Sequence, residues 1–291
     1  MNNPKLSIII ASWNVRDLLR QCLQSIYIET KISFEIIVVD NASRDDSADM
    51  VAKNFPQVKL IRNKTNRGFG AANNQGIKIA KGEFVIFLND DTKITDHALD
   101  KMVAFLEKTP EAGIAGARLL NTDHTLQIGT ARQFPTFKIL VTMLLGLHSF
   151  LLKKPWLKKF YLVDERFKST REVDQVMGAS LMTRRSIIEK TGAFDEKFWI
   201  WFEEVDLCKR VHDSGYKIFV VSNAEIVHHK GKSFEHHVKI KKFFYLSGSM
   251  FVYAAKHLLP WQSFLLYLLW PFGFLIALIV QVTGIKSSST T

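Results

Sequence analysis

Short apolar runs rich in Ile, Val and Phe alternate with stretches of helical spacing along the first ninety residues, and this alternation constrains the fold more than any other feature. "LSIIIA" (6–11), "FEIIVVD" (34–40), "VKLIRN" (58–63) and "EFVIFL" (83–88) are too short and too continuous for surface helices. The first, second and fourth read as strands buried on both faces, the pattern of a parallel sheet, and the third as a further strand. Between the first two, Leu18, Leu19, Cys22, Leu23 and Ile26 recur at helical spacing. "NASRDDSADMVAKNF" (41–55) carries Ser and Asp as cap candidates ahead of a second helix. "NRGFGAANNQGIKIAKG" (66–82) is a Gly/Asn-rich loop running into a third. Strand, helix, strand, helix, strand within about sixty residues predicts an α/β fold with a mostly parallel, doubly wound sheet.

In such sheets ligands bind beyond the carboxyl ends of the strands. Ser12, Asp40 and the run Asn89-Asp90-Asp91 all fall there. Adjacent carboxylates after a buried strand repel one another, so "FLNDDT" asks for a metal ion, a partner cation or open solvent. Two further acidic sites are available, Asp40 and the cluster Glu203, Glu204 and Asp206, and His228 and His229 end a later strand. A hard divalent cation takes oxygen ligands, and an Asp and a His from different elements would hold Mn²⁺ or Mg²⁺ with positions left for a diphosphate. No phosphate loop of the GxxxxGK[ST] type occurs, and "NRGFG" is not GxGxxG, so a P-loop nucleotidase and a dinucleotide site lack support.

The second half is less regular. "ILVTMLLGLHSFLLKKPWLKKF" (139–160) fits a core helix with a solvated end, or a helix lying on a membrane with Lys153, Lys154, Lys158 and Lys159 at the headgroups. A strand "GASLMT", a helix from Arg185, an aromatic loop, a helix carrying "EEVDLCKRVHDSG" and ended by Gly215, and a strand "KIFVVSN" follow. The tail is basic and then apolar, with no charge over residues 261–285. That is enough to span about 30 Å of hydrocarbon, which takes about 20 residues, although Pro271 and Gly273 also allow a bent or half-inserted hairpin. Lysines ahead of the apolar stretch favour a cytoplasmic main domain at the inner face of the cell membrane. The N-terminus has no secretory signal pattern, and two widely spaced cysteines, Cys22 and Cys208, fit a reducing compartment. At 47% apolar and 23% charged residues the chain can build a packed core. Its net charge of +11 points to anionic partners such as nucleotides or anionic lipid. A nucleic-acid module would cluster Lys and Arg with aromatics on one face, whereas here they are scattered or flank the apolar segments, so no nucleic-acid partner is expected.

"SIIIASWN", "EIIVVDNAS", "NRGFGAANNQG", "FLNDDT", "GAFDEKFWIWFEEVDLCKR" and "VHHKGKS" occur in an order and spacing that resemble the inverting family 2 glycosyltransferases of GT-A fold, most closely a rhamnosyltransferase-like branch. The resemblance covers roughly residues 4–234. It implies a GT-A domain over 1–236, with a nucleotide-binding half to about 120 and an acceptor half from about 121, then a membrane-associating region over 237–291. Ser12 would line the nucleotide base, Asp40 and Asn41 would bind base or ribose, and Arg67, Gly68 and Asn73 would lie near ribose and diphosphate. Asn89-Asp90-Asp91 stands at the family's DxD, which makes Asp91 the metal ligand and sets Asp90 toward ribose or sugar. His228 would be the second ligand, with His229 the alternative because strand alternation turns only one inward. Glu204 falls at the catalytic base, usually Asp, with Glu203 and Asp206 as competing carboxylates. Asp195, Glu203 and Trp201 would meet the acceptor.

The activity implied is transfer of a sugar, with dTDP-rhamnose the donor the branch suggests, from a nucleotide-sugar donor to a hydroxyl of a saccharide or lipid-linked saccharide acceptor in cell-surface polysaccharide synthesis. The competing enzyme reading, a nucleotidyltransferase, lacks its Gly-rich basic N-terminal loop in "IIIASWNVRDLL".

Overall fold

The computed structural model describes residues 3–163, 165–229 and 239–283. The end of "VHHKGKS" and the 236/237 boundary lie outside them. The first four predicted strands form as β1 (Leu6–Ser12), β2 (Phe34–Asp40), β3 (Lys59–Arg62) and β4 (Phe84–Leu88). They lie in the order β3-β2-β1-β4 and all run parallel. The helices α1 (Arg16–Glu29), α2 (Ser47–Asn54) and α3 (Phe69–Ile79) connect them. In α1, Leu19, Cys22, Leu23 and Ile26 are buried, the i, i+3, i+4, i+7 stripe of a sheet-packed helix. Leu18 is only half-buried at its edge.

Beyond β4 the sheet becomes mixed. β5 (Thr92–Ile94), α4 (Ala98–Lys108), β6 (Ala112–Leu120), β10 (Ser180–Arg184) and β11 (Lys217–His228) extend it as β4-β10-β6-β11-β5. β10 is antiparallel to both neighbours, while β11 runs parallel to β6. β8 (Arg171–Val173) pairs β11, and β7 (Ala131–Arg132) with β9 (Gln175–Val176) makes a separate ribbon. The result is a mostly parallel sheet flanked by helices, of GT-A type. β6 has no β-rich signature. Its Gly113 and Gly116 admit close neighbours instead, because a Cβ there would lie 2.5 Å from Val211 and 2.6 Å from Val176.

The single helix expected over 139–160 is three short ones: α5 (Phe137–Leu144), α6 (His148–Leu151) and α7 (Pro155–Phe160). Gly146, at φ +64°, ends the first run, and Pro155 starts the last. α8 (Arg185–Thr191) and α9 (Glu203–Asp213) follow as predicted, with Gly215 at φ +89° closing α9.

The tail folds into α10 (Lys239–His257) and α11 (Pro260–Thr283). α11 is continuous through Pro271, so no hairpin forms within it. It is long and apolar enough to cross a membrane. One of its faces is docked: Leu266 is buried, Trp270 Nε1 donates to Ser247 Oγ at 3.1 Å, and a Cβ on Gly273 would lie 2.5 Å from the Leu144 carbonyl oxygen. The other face is exposed, including Phe264, Tyr267, Leu268, Phe272 and Leu275, with Val282 at 78%. The two helices share an apolar cluster with Leu140, Leu144, Phe198, Phe202 and Val205 of the main body.

Candidate active site

A crevice of about 310 Å³ opens where β1 and β4 end. Ala11, Ser12 and Trp13 line one wall and Asn89, Asp90 and Asp91 another. The turn before α3 contributes Asn66, Gly68 and Phe69. Trp199 and Ile200 come from the aromatic loop, and Lys241 and Tyr245 from α10. A more open hollow of about 450 Å³ among Lys153, Lys158, Lys159 and Glu165 gathers none of these carboxylates.

β2 ends on Asp40, whose Oδ2 accepts the Ser43 N–H at 3.1 Å and whose Oδ1 is buried without a partner. Asn41 ties the strand end to the glycine turn: its Nδ2 donates to the Gly68 carbonyl at 3.1 Å, and its Oδ1 accepts from Asn63 Nδ2 at 2.9 Å and the Arg67 N–H at 3.3 Å. The Arg67 side chain is exposed between the lining residues Asn66 and Gly68. Gly68 adopts φ +83° and ψ 171°, a region reserved for glycine, and a Cβ would lie 2.6 Å from the Trp199 carbonyl oxygen. Asn73 is fully buried one turn into α3, donating to the Phe69 carbonyl at 3.0 Å, and does not reach the crevice lining.

The Asn89-Asp90-Asp91 corner is buried. Asp90 accepts the Trp13 N–H at 3.3 Å. Burial and then the neighbouring Asp91 charge push its carboxyl up to about 8, against the opposing pull of the nearby Ser12 hydroxyl and the Trp13 N–H. Pairing of β11 with β5 sets His228 opposite Thr92 and lets the His229 N–H donate to the Asp91 carbonyl at 2.9 Å. His228 is the histidine that faces the carboxylate, with Nε2 3.1 Å from Asp91 Oδ1. Its ring orientation follows from Gln127. The Gln127 amide donates to the His228 carbonyl at 3.2 Å and to Asn121 Oδ1 at 3.1 Å, so Oε1 remains to accept the Nδ1–H at 2.7 Å.

In the neutral ring the Nε2 lone pair lies 3.3 Å from the Asn89 Nδ2 donor as well as 3.1 Å from Asp91 Oδ1. Two lone pairs at 3.1 Å repel unless a cation, a proton or a metal ion, lies between them. Asp91 Oδ1 has no other partner. The pair therefore fits a divalent cation, with Asp91 and His228 as its protein donors. Among the described residues no group of three or more His, Cys, Asp or Glu converges on one point.

Glu204 is not among the residues that line the crevice; it packs beside Gly178, just before β10. The Asn89 N–H donates to the Ala179 carbonyl at 3.1 Å. A Cβ on the adjacent Gly178 would lie 3.4 Å from the Glu204 Cβ and 3.8 Å from the Phe69 ring. Two consecutive aromatics in left-handed conformation, Trp201 at φ +61° and Phe202 at φ +68°, turn the chain into α9 at this point. Such residues cost about 1–2 kcal/mol each and persist only where packing over-determines them. Phe202 and Trp201 belong to the cluster shared with α10 and α11, so Trp201 packs against the tail while Trp199 lines the crevice. The first turn of α9 buries Glu203, Glu204 and Asp206, where the helix dipole favours negative charge. Burial raises the Glu204 carboxyl above its usual 4.5, against the opposing charge of Arg132. Burial, then the Glu204 charge, raises Glu203 further, and Glu203 Oε2 has no partner.

Asp206 has a different setting. Its Oδ1 accepts from His257 Nε2 at 2.8 Å and Lys256 Nζ at 2.7 Å, and its Oδ2 accepts from Arg210 Nε at 2.8 Å. Burial raises its carboxyl, but these hydrogen bonds outweigh burial and hold it well below the usual 3.8. Asp195 likewise pairs with Lys256 at 2.8 Å. Both are anchors for α10. Gln127, Lys241 and Tyr245 carry no motif that would have marked them in the sequence.

Comparison with known proteins gives a family and a fold. A family model described as "Glycosyl transferase family 2" matches residues 7–192, and one described as "N-terminal domain of galactosyltransferase" matches residues 158–237. The chain is 28% identical over 240 residues to an N-acetylglucosaminyl-diphospho-decaprenol L-rhamnosyltransferase of Mycobacterium tuberculosis, covering 78% of this chain and 77% of that one. It is 27% identical to the O-antigen biosynthesis protein RfbC of Myxococcus xanthus, covering 79% of this chain and 18% of that one. In fold it is similar to the mannosyltransferase PcManGT of Pyrobaculum calidifontis, solved with GDP-Man and Mn²⁺, at TM-score 0.58 and 18% identity over 100% of this chain and 78% of that one. GalNAc-T7, solved with UDP, GalNAc and Mn²⁺, gives TM-score 0.62 and 15% identity over 86% of this chain and 48% of that one.

Proposed function

The chain belongs to glycosyl transferase family 2, and from that premise we propose that it moves a sugar from a nucleotide-sugar donor to a saccharide hydroxyl with inversion at the anomeric carbon. It is a glycosyltransferase of GT-A architecture acting in cell-surface glycan synthesis. The observation that carries the finer reading is the convergence of Asp91 Oδ1 and His228 Nε2 in the crevice at the strand ends.

Asp91 and His228 would hold Mn²⁺ or Mg²⁺, which supplies charge neutralisation to the leaving diphosphate. Gln127 keeps His228 in the ligating tautomer. Ser12, Asp40 and Asn41 receive the nucleoside, Arg67 and Gly68 stand beside its phosphates, Asn73 supports that turn from within α3, and Asp90 takes ribose or sugar. Glu204 is the base that removes the proton of the attacking acceptor hydroxyl. Burial raises its carboxyl, and a base of higher proton affinity takes the proton more readily. One base and direct displacement invert the configuration. Glu203 faces the acceptor side in this reading. Trp199 supplies the aromatic surface expected of Trp201, and the ion pair of Asp195 with Lys256 favours an anchoring role.

The donor proposed is dTDP-rhamnose and the acceptor a lipid-linked saccharide, on the strength of the mycobacterial relative. The division into a transferase domain over 1–236, with nucleotide and acceptor halves meeting near 120, and a membrane-associating region over 237–291 belongs to the same reading. Because α11 is docked along one face, we take the protein to sit on the cytoplasmic leaflet with the exposed face of α11 in the lipid rather than across it.

Calorimetric titration with UDP-, dTDP- and GDP-sugars, with and without Mn²⁺ or Mg²⁺, tests the proposal. Metal-dependent binding of one donor, lost in Asp91→Asn and kept in an inactive Glu204→Gln, is expected. Full turnover by Glu204→Gln would remove the base assignment, and binding of no donor would remove the reading. Alkaline carbonate should release the protein from membranes, and retention in the pellet would favour a spanning α11.

A further inference from the structure

The helix that leads into the apolar tail also reaches the crevice. Lys241 and Tyr245, one turn apart on α10, line it directly. Tyr245 stacks on Trp199, with ring centroids 6.2 Å apart and planes at 28°, and the Lys241 ammonium lies 5.8 Å from the Tyr245 ring centre. Trp199 in turn touches the glycine turn, since a Cβ on Gly68 would lie 3.3 Å from its indole and 2.6 Å from its carbonyl oxygen. A continuous set of contacts therefore runs from α10 through Tyr245 and Trp199 to Gly68 and Asn41.

Charge gives this arrangement a purpose. The crevice lining carries the Asp91 carboxylate, and a nucleoside diphosphate sugar brings two more negative charges. One divalent cation leaves that sum negative. Among the described residues, Lys241 is the one Lys or Arg in the lining, and no carboxylate pairs with it. An anionic crevice that must accept an anion needs such a cation, because opposite charges at close range in a partly desolvated site attract far more strongly than in water.

α10 is fixed at points further along its length. Ser249 Oγ donates to the Ile200 carbonyl at 2.7 Å, and Lys256 and His257 hold Asp195 and Asp206. Lys241 and Lys256 are about 22 Å apart along the helix at 1.5 Å per residue, so α10 works as a bar anchored at one end with its cation at the crevice.

We infer that α10 completes the donor site, with the Lys241 ammonium binding the diphosphate of the donor and the Tyr245–Trp199 stack setting its position. This deepens the nucleotide-sugar reading and rests on it. The lipid-facing tail is then continuous with the donor-binding surface, since α11 packs on α10 through Trp270 and Ser247.

The test uses the full chain, Mn²⁺, and UDP, dTDP and GDP with their monophosphates as calorimetric probes. Wild-type protein should bind one of the diphosphates, and absence of any binding removes the nucleotide-sugar reading and this inference with it. Where the wild type binds, Lys241→Met should weaken that diphosphate by about tenfold or more, the range for a hydrogen bond to a charged group. The matching monophosphate should change by much less, and Lys241→Arg should restore most of the loss. Lys241 is exposed, so unfolding does not confuse the result, and equal melting temperatures check this. Wild-type diphosphate affinity in Lys241→Met overturns the inference alone. An equal loss for diphosphate and monophosphate also overturns it, since it would mark a general distortion of the crevice.

Discussion

Replacing Asp206 by Asn should loosen α10 from the transferase body and destabilise the protein measurably. The carboxylate is fully buried and takes three charge-assisted hydrogen bonds, from His257, Lys256 and Arg210, at 2.7–2.8 Å. Removing one partner of a buried ionic network costs about 3–5 kcal/mol. That figure is reduced here because the cations retain other partners. Lys256 keeps Asp195, and Arg210 keeps the carbonyls of Thr191, Gly192 and Ala193. Both also have partial access to water, at 30% and 22%. A loss of about 2–4 kcal/mol follows, which is roughly 4–10 °C in melting temperature for a chain of this size.

The pH dependence gives an independent check. Asp206 titrates below its usual 3.8 in the folded protein, so its stabilisation is complete above 3.8 and is lost as pH falls below it. The difference between wild type and Asp206→Asn should be constant from pH 5 to 7. It should shrink by about 1.4 kcal/mol per pH unit below 3.8. Thermal melts of both proteins across this range measure it. A variant melting within 1 °C of wild type at pH 7, to order of magnitude a difference below ~0.5 kcal/mol, would refute the reasoning, as would a difference that grows in acid.

Gly68→Ala should both destabilise the crevice turn and weaken nucleotide binding, because the new methyl meets a backbone carbonyl at 2.6 Å in a conformation costly to other residues. About 2–4 kcal/mol is expected from strain and overpacking, read by urea denaturation and calorimetry. Gln127→Leu frees the His228 tautomer and should lower Mn²⁺ affinity by about 10- to 100-fold, read by metal titration, and it should cost about 1–3 kcal/mol of metal-free stability because the buried His228 Nδ1–H and carbonyl lose their partner. The acid limb of kcat/KM should lie above 4.5 because Glu204 must be ionised and burial raises it. A Glu204→Asp variant should shift that limb, whereas a limb unchanged by it would assign the titration elsewhere. Both thiols should resist alkylation at pH 8 in the native protein and react on unfolding, since burial pushes Cys22 and Cys208 up to about 12.

Four parallel strands, the helices between them and the polar residues at their ends are written locally in the sequence. The inner strands β1, β2 and β4 are covered on both faces and so are apolar almost throughout, while the edge strand β3 keeps exposed Lys59 and Arg62. A helix packed on the sheet must carry a stripe at helical spacing, so each element shows its role in a dozen residues. The same holds for the acidic first turn of α9 and for the Asn89-Asp90-Asp91 corner, whose cost in a buried strand end is visible from charge alone. β6 was hidden because its glycines and alanines answer to Val176 and Val211, residues sixty and more positions away.

Tertiary structure alone decided which histidine faces Asp91, because strand alternation permits either and only the pairing of β11 with β5 sets the register. Gln127 orients that histidine from 101 residues upstream. The choice of Trp199 over Trp201 for the crevice came from two left-handed residues that the tail cluster holds in place. Lys241 and Tyr245 read in sequence as the basic and aromatic edge of a membrane segment, since composition reports what a helix can touch. Their place at the donor crevice depends on the ion pairs at the far end of α10, and no local pattern encodes a contact made by a rigid helix fixed elsewhere.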